Sequence, residues 1–98
     1  VKQSPEISFV TETGTSESFS NEIDLRGMRA EDALITVDKY LSDAVLAGFH
    51  AVRIIHGKGS GVLREVIGRQ LKEHKLVKSF RLGRWNEGDT GVTIVEMK

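Results

Sequence analysis

The stretch AVRIIHGKGSGVLREVIGRQL, residues 51–71, decides the fold. Val52, Ile54 and Ile55 fill a short run at its start, and the run stops at His56. Three glycines, Gly57, Gly59 and Gly61, then alternate with Lys58 and Ser60. From about Gly61 to His74 the apolar residues Leu63, Val66, Ile67 and Leu71 recur at the three–four spacing of one helix face. Ser60 can cap that helix. A strand that turns through glycines into an amphipathic helix is half of a βαβ unit, so the chain reads as α/β.

The same grammar extends in both directions. Upstream, Ile23-Asp24-Leu25 is a short strand broken by Gly27. A helix follows from about Ala30 to Ala47, with Leu34, Val37, Leu41, Ala44 and Val45 on its buried side. Glu31 and Asp32 suit its first turn, and Gly48 is a natural stop. Downstream, 77–82 and 91–97 read as strands, with the loop GRWNEGDT over 83–90 between them. The order is β-α-β-α-β-β. The last two strands are joined by a loop too short for a crossover helix and should run antiparallel. Two helices cover one face, which predicts a two-layer α/β sandwich with a four-stranded mixed sheet and both helices on the same side.

Residues 1–21 are rich in Ser, Thr and Glu, hold the single proline and lack periodicity. They read as an acidic linker or tail, to which Ile7 and Phe9 could add a short edge strand. Residues 22–98 make the folded domain. The chain begins at a valine and reads as a piece of something longer.

At 98 residues there is room for one domain with a modest core. With no cysteine, disulfides and thiolate metal sites are excluded, which suits a cytoplasmic protein. No apolar run approaches a membrane span, and no signal peptide is visible. The net charge of zero conceals an asymmetry. Residues 1–24 hold five acidic residues and one basic, whereas 51–86 hold nine basic and two acidic. The second half is a candidate basic surface for a polyanion, or a solvated face on a charged helix.

Ligands of open α/β sheets gather at the carboxyl ends of parallel strands. Asp24 and Arg26 end the first strand; His56 and Lys58 end the second. If the third is parallel to them, Arg84 and Trp85 reach the same rim. His50 falls at the opposite edge and His74 near a helix end, so His56 alone is placed for chemistry. Gly57, Gly59 and Gly61 leave backbone N–H groups uncovered, a helix N-terminus adds unpaired donors, and Lys58 adds a charge. Gly57, Lys58, Gly59, Ser60 and Gly61 therefore describe an oxyanion cradle; the alternative is a tight turn without a ligand. GKGSGV fits neither the dinucleotide nor the Walker spacing, so a backbone phosphate is expected and no bound nucleotide.

IDLRG (23–27), AEDAL (30–34), VRIIHGKGSG (52–61), VKSFRLG (77–83) and GVTIVEM (91–97) together resemble the Smr, or small MutS-related, domain over residues 22–98. Arg26 stands where many such domains carry histidine; the arginine form is similar to the version at the C-terminus of the recombination-suppressing class of bacterial MutS-like ATPases. The resemblance implies sheet order 1-2-4-3 and an endonuclease that nicks DNA, branched DNA included, or cuts RNA with low sequence specificity. It also implies a role in suppressing recombination and a ribosome contact through the parent protein.

On that footing His56 is the expected proton-transfer group, its ring near neutrality in free solution. Asp24 would orient His56 or hold a divalent cation, Mg²⁺ or Mn²⁺, or simply close its strand. Arg26 would clamp a phosphate, or pair with Asp24 or Glu31. Trp85, beside Arg84, would stack on an unpaired base or act as a packing lid. DNA is the expected partner ahead of RNA, with no membrane contact and a monomeric domain. The competing readings are a DNA-, RNA- or ribosome-binding module without catalysis, and a protein-interaction domain.

Overall fold

The computed structural model describes residues 20–98. Most of the expected tail, with Ile7 and Phe9, lies outside them. Ser20 and Asn21 already belong to the fold: the Tyr40 hydroxyl donates to the Ser20 carbonyl at 2.7 Å, and Arg53 N–H donates to the Asn21 carbonyl.

The elements are β1 (Glu22–Asp24), α1 (Ala30–Leu46), β2 (Ala51–Ile55), α2 (Val62–Glu73), β3 (Val77–Leu82) and β4 (Val92–Met97), with short 3₁₀ turns at Trp85–Glu87 and Asp89–Gly91. The sheet order is β1-β2-β4-β3. β1 lies parallel to β2, and β4 lies antiparallel to both β2 and β3. β3 therefore runs parallel to β1 and β2, so all three end at one edge of the sheet. Both helices begin at that same edge.

Alternation along the strands sorts the side chains. Val52, Ile54, Val95 and Met97 are buried with Ala33, Val37, Leu41 and Ala44 of α1 and Ile67 and Leu71 of α2 in one core. Both helices thus cover one face, as the pattern predicts. The α1 stripe is rotated from expectation: Ala33 and Tyr40 are buried, whereas Leu34 is partly covered and Val45 is exposed. Helical spacing fixes the width of a stripe, but the neighbour sets which residues lie at its margin.

α1 ends in a Schellman motif. Gly48 takes φ +85°, its N–H donates to Val45 and that of Phe49 to Ala44, which satisfies two terminal carbonyls. α2 starts differently from the expectation. Gly61 is the N-cap at φ +86°, and Ser60 reaches Val62 N–H only at 3.4 Å, so Ser60 is a weak cap at best. The helices are joined by side chains: Gln70 donates to the Leu34 carbonyl at 2.7 Å, and His74 Nε2 meets Asp38 at 2.8 Å.

Candidate functional site

A cleft of about 260 Å³ opens at the edge where the three parallel strands end. Met28 and Ala30 line it from the start of α1, His56 and 57–61 from the glycine loop, and Val62, Leu63 and Arg64 from the first turn of α2. Two helix N-termini, each carrying partial positive charge, thus border one cavity.

The glycine loop is anchored at its root. The N–H groups of His56 and Gly57 both donate to the Gly91 carbonyl, at 3.0 and 2.9 Å. Beyond that anchor, the N–H groups of Lys58, Gly59, Ser60, Gly61, Leu63 and Arg64 have no partner among the described residues. Uncovered donors in series, ahead of a helix, form a site for negatively charged oxygen. A Cβ on Gly61 would meet the Arg64 guanidinium at 2.7 Å, so that cation folds back over the loop.

Asp24 and Arg26 form a fork-shaped ion pair. Arg26 Nε donates to both carboxylate oxygens and its terminal nitrogen to Oδ2 at 2.6 Å, while Arg26 N–H also donates to Oδ1. Arg26's hydrogen bonds hold the Asp24 carboxyl down at about 2. The Arg26 stem passes beside Gly57, where an added Cβ would come within 3.2 Å of it. Lys58 in turn pairs with Asp89 at 3.3 Å.

His56 departs from expectation. Its ring is only 5 % exposed, forming part of the cleft wall but not its mouth. Nδ1 lies 3.1 Å from the Gly57 carbonyl and Nε2 lies 2.8 Å from Thr93 Oγ1. A carbonyl can only accept, so Nδ1 carries the proton and Nε2 accepts from the threonine hydroxyl. Burial pushes the imidazole below its ordinary value, Arg64 adds to that, and the Gly57 carbonyl opposes it. The ring is neutral near pH 7.

The imidazole and the ion pair have separate partners. Arg26 meets Asp24, beside the glycine loop, but no hydrogen bond links Asp24 to His56. Strand parity explains why. Asp24 is the register partner of Ile55, on the uncovered face, whereas His56 shares the helix-side parity of Val52 and Ile54.

Arg84 and Trp85 do lie on the loop leaving β3 at this edge, with Trp85 88 % exposed and so not a packing lid. Sequence reasoning missed Arg64, Thr93, Arg53 and Glu87. Arg64 was legible as a cation in the first turn after the cradle; Arg53 and Thr93 are brought together by sheet pairing, and Glu87 by the fold of the β3–β4 loop.

Among the described residues there is no group of three or more His, Asp or Glu side chains able to hold a metal ion. The rim offers two carboxylates, Asp24 and Asp89, each already engaged by a cation, Arg26 and Lys58. The residues present do not fit the expected Mg²⁺ or Mn²⁺ site. No described helix is long and apolar enough to cross a membrane.

Comparison with known proteins follows the same lines. The family model described as "Smr domain" matches residues 23–98. The chain is 60% identical over 88 residues to "Endonuclease MutS2" of Geobacillus kaustophilus, covering 90% of this chain and 11% of that protein. The chain thus spans about a tenth of the curated relatives it matches. The crystal structure of the Smr domain of Thermus thermophilus MutS2 superposes with a TM-score of 0.77 at 42% identity, over 79% of this chain and 96% of that one. YdaL, a stand-alone small MutS-related protein from Escherichia coli, shares the fold with a TM-score of 0.75 at 24% identity, over 80% of this chain and 64% of that one.

Proposed function

This chain belongs to the Smr domain family, and we propose that it is a nucleic-acid endonuclease module that holds one backbone phosphate in the cleft and nicks with low sequence specificity. The observation that carries the reading is the set of N–H groups at Lys58, Gly59, Ser60, Gly61, Leu63 and Arg64 without a partner among the described residues, bordered by the side chains of Arg26, Lys58 and Arg64. The similarity to proteins named endonuclease supports it.

In this reading Arg26 and the glycine loop stabilise the charge that builds on phosphorus oxygens in the transition state. Phosphate displaces Asp24 and Asp89 from their cations as it enters. Asp24 then turns its carboxylate to the attacking water and takes its proton as the oxygen–phosphorus bond forms, while the opposite phosphorus–oxygen bond breaks and solvent water protonates the departing oxygen. His56 acts through the loop: it fixes the Gly57 carbonyl from below and is a positioning residue. DNA is the first substrate to test, and RNA the second. Within a longer chain, suppression of recombination and contact with ribosomes are the roles to examine.

The engagement of both His56 nitrogens favours one second reading, a binding module without catalysis. Plasmid and RNA nicking by the purified chain separates the two, comparing wild type with Arg26→Ala and His56→Ala, with and without EDTA. Cleavage lost in Arg26→Ala supports the endonuclease. Equal cleavage by all three proteins marks contamination, and none under any condition leaves the binding module.

A further inference from the structure

The loop between β3 and β4 is built around Glu87. Its carboxylate accepts from Arg81 at 2.7 and 3.0 Å and from Arg84 N–H at 2.8 Å. Its carbonyl accepts from Arg53 at 3.0 Å, and Arg53 also pairs with Glu22 of β1. One residue thus ties the loop to β3, β2 and, through Arg53, β1. Gly88 at φ +109° packs against Val92 so closely that a Cβ would collide with it.

The far end of the loop is tied to the glycine cleft. Gly91 receives the N–H groups of His56 and Gly57, and Asp89 pairs with Lys58. Near the start of the loop stands Trp85, 88 % exposed, directly after Arg84. Tryptophan is highly buried on average, and exposing one costs hydrophobic stabilisation. Here every anchor holds the backbone around the ring, and none covers the ring. Asp89 lies four residues along from Trp85, a reach of at most about 14 Å. At roughly 3.4 Å per nucleotide of stacked strand, that is at most about four nucleotides.

We propose that the 84–91 loop is a preformed platform on which Trp85 stacks an unpaired nucleobase from the strand whose phosphate lies in the cleft, with Glu87 as its positioning residue. This rests on the nucleic-acid reading above and adds a substrate class: single strands, gaps and flaps in preference to intact duplex. Pre-organisation is the reason for the staple. A ring already fixed loses little conformational freedom when a base lands on it.

Trp85 is the single tryptophan of the chain, so its fluorescence reports the platform alone. The test titrates labelled oligonucleotides into the full chain, following label anisotropy for binding and tryptophan emission for stacking. A single strand of about twelve nucleotides, a blunt duplex and a gapped duplex are compared. Expected are quenching by single-stranded and gapped forms and little by blunt duplex. Trp85→Ala should weaken single-strand binding roughly 5- to 150-fold, the stacking range for one base, and leave duplex affinity within about twofold. Trp85→Phe should recover most of the loss. Glu87→Ala should lower the tryptophan's own anisotropy in the free protein and weaken single-strand binding, with Glu87→Gln intermediate. Binding without quenching, or equal losses on single strand and duplex, overturns the platform and leaves the cleft standing; the ring would then be a candidate contact for a protein. No binding of any oligonucleotide overturns both readings.

Discussion

Replacing Thr93 by valine tests the assignment of His56 as a buried support of the glycine loop. The substitution keeps size and branching and removes one hydroxyl. That hydroxyl, 2.8 Å from Nε2, is the partner given to this nitrogen in a pocket where the ring is 5 % exposed and Thr93 is 3 % exposed. The imidazole cannot escape by changing tautomer, because Nδ1 faces a carbonyl and must keep its proton. Thr93→Val therefore leaves a buried acceptor unsatisfied, which costs about 1–3 kcal/mol. In a domain of this size each kcal/mol moves the melting temperature by about 4–8 °C, so a fall of roughly 5–20 °C is expected. Melting followed by circular dichroism at pH 8 measures it, and Thr93→Ser, which restores the hydroxyl, should regain most of the loss. A melting temperature within about 2 °C of wild type would refute the reasoning: the ring would have to be free to turn outward, and a direct role in proton transfer would be restored.

The depressed value of His56 gives a second prediction with a definite sign. The unfolded chain takes up a proton near 6.5 while the native ring resists, so stability is constant above that pH and falls as pH drops below 6.5 toward the native value; the difference between wild type and His56→Gln in urea melts at pH 8, 6.5 and 5 isolates it. Gly61→Ala forces an L side chain into φ +86°, costing about 1–2 kcal/mol in the same melts, and pushes Arg64 aside, so oligonucleotide affinity should drop several-fold. Asp89→Asn removes the acid that holds Lys58; one unit charge about 4 Å away is worth about 1 kcal/mol in water, so affinity at low salt should rise by up to roughly fivefold and the gain should shrink as salt is added.

Much of the fold was open to reading because its periods are local. The glycine run after 51–55, the helical spacing over 62–73 and the short 83–90 loop set the element order and the layers. Strand order 1-2-4-3 was implied by family resemblance and could not be reached from periodicity. It depends on β4 entering between β2 and β3, a pairing of residues about forty apart along the chain. The glycine cradle was legible for the same local reason, since donors close in sequence stay close in space. The partners of its cations were less so. Arg26 was left between Asp24 and Glu31, and the fork to Asp24 is favoured by a two-residue separation in the turn that follows β1.

What escaped was the face on which each side chain lies. Placing residues at the ends of neighbouring strands says that they share an edge, but a sheet has two sides. The register Asp24↔Ile55 puts the carboxylate one residue out of phase with His56, and a one-residue offset in a strand is a change of face. The chemistry of the cleft divides accordingly. On the helix side, a neutral imidazole and a threonine lock the root of the loop; at the rim, charged pairs stand where solvent and a phosphate can reach them. Arg26–Asp24 and Lys58–Asp89 each place a carboxylate against a cation, as a phosphate would be placed. An incoming phosphate must therefore exchange with an acid already present, and its advantage over that acid lies in the bare N–H groups of 58–61, Leu63 and Arg64, to which neither carboxylate bonds. The glycines therefore decide whether the cleft takes a phosphate, and the cations set how strongly salt opposes it.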